Sequence, residues 1–348
     1  MNNKLNFNKQ NQDYFLSIII PVYNIAGVIN KCLNSLIPQL RKHEDVVIYL
    51  VDDGSTDDSW EIINKYSQKN VITIKKDNGG VSSARNAGLD NCSSRFVTFI
   101  DGDDYVADNY LDILKDKIYY EDQLVVFNFT YDYISKVKEH NVLTDEIVEL
   151  KINDGINKFL DISFYDKYFS SVWNKIFRVD LINKINLRFN TNKHIGEDEF
   201  FCVEYFENIK KVRSISDNLY FYVQRDDSAL HKYNSNKVKE CQDYILIYQQ
   251  LSKLYSNQLD MHSLISYYLR MLFGLINNES KSPTFLVGYN NVHDFVYFDY
   301  FQKNRSNIIV SRLSTKLKIY YVLIQTHLYL LVYTVLYLKN KLMNRRLK

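Results

Sequence analysis

Between residues 16 and 100, short runs of β-branched and aromatic side chains alternate with helical stretches, and few architectures accept that order. Leu16–Val22 (LSIIIPV), Val46–Val51 (VVIYLV), Val71–Ile74 and Phe96–Ile100 (FVTFI) read as buried strands. Between the first two, Ile29, Leu33, Leu36 and Leu40 recur at helical spacing. After the second, Ser55, Thr56 and Asp57 offer N-caps for a helix carrying Trp60, Ile62 and Ile63. A further helix is expected from near Ser82 to Gly88. Strand-helix alternation of this length gives an α/β fold, a mostly parallel sheet with helices on both faces. In such sheets ligands bind beyond the carboxyl ends of the strands, so the residues after each strand are where chemistry is sought.

The pattern from about Leu124 to Asn192 is mixed and yields no clear elements, and beyond about Tyr233 the chain reads as helices rich in Tyr, Leu and Ile. This places an α/β domain over 14–234 and a helical C-terminal region over 235–348. Hydrophobic residues at 46% and charged residues at 24% describe a folded chain. Acidic and basic residues nearly cancel, 41 against 43, so no nucleic-acid partner is expected. The 29 tyrosines are read as compositional bias rather than as a binding surface. Cys32, Cys92, Cys202 and Cys241 are scattered, without a Cys-x-x-Cys pair, which suits reduced thiols in a cytoplasmic protein rather than zinc or disulfides. Residues 1–13 are polar and the apolar run after them is short, so a secretory signal is not expected.

Three of the strands run into polar clusters: Pro21-Val22-Tyr23-Asn24, Asp52-Asp53-Gly54-Ser55, and Asp101-Gly102-Asp103-Asp104. A lone aspartate after a strand is usually a turn or cap residue. Five carboxylates at two strand ends of one sheet repel one another and call for a cation or polar ligand. Their hard oxygens suit Mg²⁺ or Mn²⁺, with water and phosphate completing the shell.

The ordered set Ser17 to Asn24 (SIIIPVYN), Val51 to Asp57 (VDDGSTD), Asn78 to Gly88 (NGGVSSARNAG) and Asp101 to Asp104 (DGDD), followed by Trp173-Asn174-Lys175, Gly196-Glu197-Asp198, Arg225 and Ser228, resembles family 2 of the inverting glycosyltransferases. The resemblance covers residues 16–228 and implies a GT-A fold and a nucleotide-sugar donor. It implies that Asp52 and Asp53 hold base and ribose, with Pro21, Tyr23 and Asn24 forming the wall around the base; core packing is the other reading of Tyr23. Asn78 opens a loop from which Arg85 would reach the nucleotide or its diphosphate, a surface ion pair being the alternative. Asp101 and Asp103 match the family's metal-and-donor motif, with Asp103 as direct ligand, and Asp104 would complete the site or contact the acceptor. Asp198 matches the general base, with Glu197 next in line, although an acidic first turn of a helix would look the same. Lys175, Arg225 and Ser228 would contact diphosphate or acceptor. His194 and His231 read as isolated histidines, His231 being at most an extra ligand.

Ile319 to Leu338 (IYYVLIQTHLYLLVYTVLYL) is nearly continuous apolar sequence, broken by Gln325, Thr326 and His327 and flanked by basic residues within 316–348. It reads as a monotopic membrane helix, a buried core helix or a span. Attachment to the inner face of the cell membrane would suit a polyprenyl-diphosphate-linked acceptor, as in capsule and lipopolysaccharide synthesis. Three rivals remain at this stage: a transferase acting on a polyprenyl phosphate, a nucleotidyltransferase and a non-catalytic glycan-binding module.

Overall fold

A computed structural model describes residues 14–133, 136–149, 170–192, 196–224, 233–243, 245, 261–297 and 315–346. The chain divides into two compact units, 1–225 and 226–348. In chain order the first contains β1 (Leu16–Val22), α1 (Ile29–Leu36), β2 (Val46–Asp52), α2 (Ser59–Asn64), β3 (Val71–Lys75), α3 (Val81–Asp90), β4 (Phe96–Phe99), β5 (Tyr105–Val106), α4 (Tyr110–Lys117), β6 (Leu124–Tyr133), β7 (Lys136–His140), β8 (Glu146–Glu149), β9 (Lys175–Arg178), α5 (Val179–Lys184), α6 (Glu197–Phe206) and β10 (Lys211–Gln224). One ten-stranded sheet runs β3-β2-β1-β4-β9-β6-β10-β5, with β7 pairing β6 and β8 pairing β10.

The four strands expected from the apolar runs form the parallel half of this sheet, β3-β2-β1-β4. Every residue of β2 and all but Pro21 of β1 are buried, which is why they read as continuous rather than alternating apolar runs. The other half is mixed. Strand β9 runs antiparallel to both β4 and β6, while β10 is parallel to β6 and antiparallel to β5 and β8. The helix expected to run on to Leu40 stops at Leu36, because Pro38 lacks the N–H that the next α-helical turn needs; a 3₁₀ segment, Ile37–Lys42, carries the chain on. None of Ser55, Thr56 and Asp57 is the N-cap of α2; Asp58 is, and Asp57 instead accepts from the Ala26 and Ser59 N–H groups.

Aromatic packing fixes α6 against β4. Phe189 stacks on Phe201 at 4.1 Å, and Phe99 meets both edge-on at 5.1 and 5.8 Å. Such clusters bury large apolar areas in fixed orientation. They hold the N-terminus of α6 beside the turn that follows β4.

The second unit comprises α7 (Met261–Glu279), α8 (Phe285–Val296), α9 (Thr315–Gln325) and α10 (Tyr329–Arg346). Its core gathers Leu269, Leu272, Leu275 and Ile276 of α7, Val292 and Phe295 of α8, Ile324 of α9, and Tyr329, Tyr333 and Tyr337 of α10. The single helix expected over 319–338 is two. His327 adopts φ 58 and ends α9, and Lys318–Gln325 and Tyr329–Met343 are bent by 103°. Among the described residues no single helix is long and apolar enough to cross a membrane.

Candidate active site

Beyond the carboxyl ends of β1, β2 and β4 lies a cavity of about 430 Å³, lined by Pro21, Val22, Tyr23, Ile25, Asp53, Asn78, Gly80, Val81, Ala84, Arg85, Asp101, Gly102 and Asp103. Tyr23, 48% exposed, forms part of its rim, so it is not a core residue. Asn24, at φ 51, takes the Thr56 N–H on its side-chain oxygen at 2.8 Å and thereby ties the loops after β1 and β2 together. It does not line the cavity.

The two adjacent aspartates after β2 part company. Asp52 is the last residue of the strand, wholly buried and paired in register with Val22; one oxygen accepts from the Ser55 N–H at 3.3 Å. It lies behind the cavity wall, so the nucleotide contact expected of it is not placed there. Asp53 lines the cavity and organises the loop opposite. It accepts from Gly79 N at 3.1 Å, Gly80 N at 2.7 Å and the Lys76 ammonium at 2.5 Å, while its carbonyl takes the Asn78 side-chain amide at 2.9 Å. Gly54, directly after Asp53, holds φ 75, and a Cβ there would stand 2.8 Å from the Asn78 nitrogen. Only glycine accepts both constraints.

Arg85 is neither a surface pair nor directed at open solvent. It is buried, donates to Asp198 Oδ1 at 2.5 Å, to Asp101 Oδ1 at 2.9 Å and to Glu197 Oε1 at 3.4 Å, and lies 5.3 Å from the Phe189 ring centroid. One guanidinium thus joins the acidic turn after β4 to the first turn of α6, whose Asp198 lies 113 residues beyond Arg85 in the chain. Burial pushes the Asp198 carboxyl up to about 7; Arg85 opposes this, and the Glu197 and Asp101 carboxylates add to it. The same three carboxylates hold the Arg85 pKa above its ordinary value against the opposing effect of burial.

In the turn after β4, Asp101 and Asp103 face the cavity and Asp104 does not. Asp104 is buried, with one oxygen on the Tyr220 hydroxyl at 2.5 Å and the other on the Val223 N–H at 2.8 Å. Burial, and then Asp101 and Asp103, push its pKa up. Asp104 therefore anchors the turn to β10 instead of completing a metal site or meeting an acceptor. Tyr220 had no signal in the sequence: its hydroxyl also takes the Asp101 N–H at 3.3 Å, and its ring stacks on Trp173 at 4.5 Å. Lys175 is likewise internal. Its ammonium donates to the Ser171 carbonyl and to Asn174 Oδ1, and burial lowers its pKa to about 8, so it is not presented to the diphosphate or acceptor expected of it. Arg225, Ser228, His194 and His231 lie outside the described residues.

Asp101 and Asp103 offer hard oxygens on the cavity wall, which fits Mg²⁺ or Mn²⁺ held by one or two carboxylates with substrate phosphates completing the shell. Among the described residues no group of three or more His, Cys, Asp and Glu side chains forms a metal cage. Any ion here would depend on the substrate for the rest of its ligands.

A model of the family described as Glycosyl transferase family 2 matches residues 17–185. Curated relatives include Glycosyltransferase GlyA of Streptococcus pneumoniae serotype 4, 33% identical over 221 residues, which cover 61% of this chain and 31% of GlyA. Minor teichoic acid biosynthesis protein GgaB of Bacillus subtilis is 29% identical over 300 residues, covering 82% of this chain and 29% of GgaB. The chain thus spans about a third of the length of these relatives. S. aureus TarS 1-349 superposes with a TM-score of 0.60 at 18% identity, over 96% of this chain and 92% of that one; its complex with UDP-GlcNAc superposes at 0.50. The shared architecture is the GT-A fold.

Proposed function

The chain carries a glycosyl transferase family 2 domain over residues 17–185, and from that premise we propose an inverting, divalent-metal-dependent transferase that moves a sugar from a UDP-sugar to a hydroxyl of a surface glycan or its lipid-linked precursor. One observation carries the mechanism: Arg85, which lines the cavity together with Asp101, pairs with both Asp101 and Asp198 and so draws the first turn of α6 to the acidic turn after β4. Pro21, Val22 and Tyr23 wall the end that would take the base, with Asp53 and Asn78 beside it for the ribose. Asp101 and Asp103, on the same wall, would take the diphosphate and its ion. A bound Mg²⁺ or Mn²⁺ would neutralise charge on the departing diphosphate.

Asp198 accepts the proton of the acceptor hydroxyl as that oxygen attacks the anomeric carbon. The bond from the anomeric carbon to the diphosphate oxygen breaks, and its electron pair leaves with the nucleotide. A single displacement of this kind inverts the anomeric centre without a covalent enzyme intermediate. The raised pKa of Asp198 suits the role, because a base is most effective when its pKa lies near the working pH. Donor class is supported by TarS 1-349 having been solved with UDP-GlcNAc, and the acceptor class by the teichoic acid role in the name of GgaB. The family domain favours this reading over a nucleotidyltransferase or a binding module.

A panel of nucleotide-sugars incubated with Mn²⁺ or Mg²⁺, with and without chelator, tests it. UDP-sugars should turn over only with metal, and Asp103→Ala should cost about 3 kcal/mol or more of transition-state stabilisation. Full turnover in excess chelator would remove the metal, and silence on every donor would remove the transferase.

A further inference from the structure

The second unit presents an apolar stripe that its own core does not use. On α10, Leu331, Val335, Leu338 and Leu342 recur at spacings of four, three and four, which puts them on one face of the helix. Each is between 56% and 61% exposed. The opposite face carries Tyr329, Tyr333 and Tyr337, all buried in the unit's core, and Asn340, bonded to Ser280. Lys339 and Lys341 fall on the two flanks of the stripe, at roughly 80° to either side by helical periodicity. A groove of about 420 Å³ runs along this face between Val335, Leu338, Lys339, Leu342 and Met343.

Charge identifies the occupant. Residues 315–348 hold seven lysines and arginines and no acidic residue, leaving 36 basic against 41 acidic residues in the rest of the chain. A second copy docked on this face would bring two such cationic segments together. An anionic lipid surface matches both the charge and the leucine stripe, because acyl chains take the leucines while lysines on the flanks reach headgroups. The 103° break at His327 rules out one straight helix of membrane-spanning length, so the helix would lie in the plane of the interface.

We propose that the outer face of α10 is an interfacial membrane anchor for anionic bilayers. It stands apart from the transferase reading, since no residue of the cavity takes part. The test is co-sedimentation of the full chain with phosphatidylcholine vesicles, with and without phosphatidylglycerol. UDP binding, circular dichroism and sedimentation equilibrium are measured on the same samples. Wild type should bind the anionic vesicles, and less well at high salt. Leu338→Glu/Leu342→Glu should lower the partition by at least about tenfold, with helicity and UDP binding unchanged. The milder Leu331→Ser/Val335→Ser keeps the test open if the first variant misfolds, and should lower it as well. Equal binding by folded variants, no binding by wild type, or a wild-type dimer that the variants convert to monomer without any vesicle binding would each overturn the proposal. Loss of UDP binding in wild type would count against the transferase reading and leave this one standing.

Discussion

Arg85 brings one positive charge to three carboxylates, so the wall of the cavity keeps a surplus of negative charge around Asp198. Burial raises the Asp198 pKa to about 7, with Arg85 and Lys175 opposing it and the Glu197 and Asp101 carboxylates adding to it. A base works only when deprotonated, so kcat/KM should rise by roughly a decade per pH unit below about 7 and level off above it. A profile flat from pH 5 to 8 would argue that another group takes the proton. Asp198→Asn keeps the size and one acceptor oxygen while removing the basicity. Transfer should fall by roughly two to four decades, and UDP affinity, read by titration calorimetry, should stay near wild type, since the base touches the acceptor and not the nucleotide. If affinity falls in step with rate, Asp198 belongs to the donor pocket. If neither falls, Glu197, 3.4 Å from the same guanidinium, is the next base to examine.

The elements that position these residues were legible in proportion to how locally they are encoded. β1 and β2 are buried on both faces, so their sequences are unbroken apolar runs between turn residues, and both are found where those runs lie. Strand β9 is four residues long and begins with a buried lysine, and β5 is only two residues; neither leaves a periodic trace. The acidic motifs revealed where the chemistry is but not which oxygen faces it. Asp52 ends a strand and Asp53 begins the turn, and only the second reaches the cavity. Asp104 bonds Tyr220 across 116 residues, a pairing no local pattern records. Packing between elements can be tested at Gly88 of α3. A Cβ there would stand 2.5 Å from Ile19 Cγ2 of β1, closer than a side chain tolerates. Gly88→Ala should destabilise the first unit by about 1–3 kcal/mol, at roughly 2–4 °C of melting temperature per kcal/mol for a unit of this size. Gly27→Ala, with nothing within 4 Å of the added carbon, is the control and should leave the melting temperature unchanged or slightly raised. Equal melting of both variants would mean that α3 can slide on β1, and that Gly88 does not set the distance.

For the whole molecule, the question is whether the apolar tail is an appendage or part of the fold. The sequence allowed either, because a continuous run of Leu, Val and Tyr has the composition of both a core helix and a membrane helix. The structure divides the run by face: Tyr329, Tyr333 and Tyr337 are core, while Leu331, Val335, Leu338 and Leu342 are not. Deleting residues 315–348 would therefore do more than remove a surface. It would take Ile324 and three buried tyrosines out of the second unit's core, leaving Leu272, Leu275 and Ile276 of α7 without their partners. Losses on that scale exceed the few kcal/mol by which single domains are stable, so the remainder of the second unit should unfold. The cavity is lined only by residues 21–103 and should survive. Limited proteolysis of the deletion variant should cut within 226–314 and leave a fragment of the first unit that binds UDP as the full chain does. Resistance throughout 226–314 would show that α9 and α10 are dispensable to that core. A deletion variant that is proteolysed throughout, with UDP binding lost as well, would show instead that the first unit needs the second in order to fold.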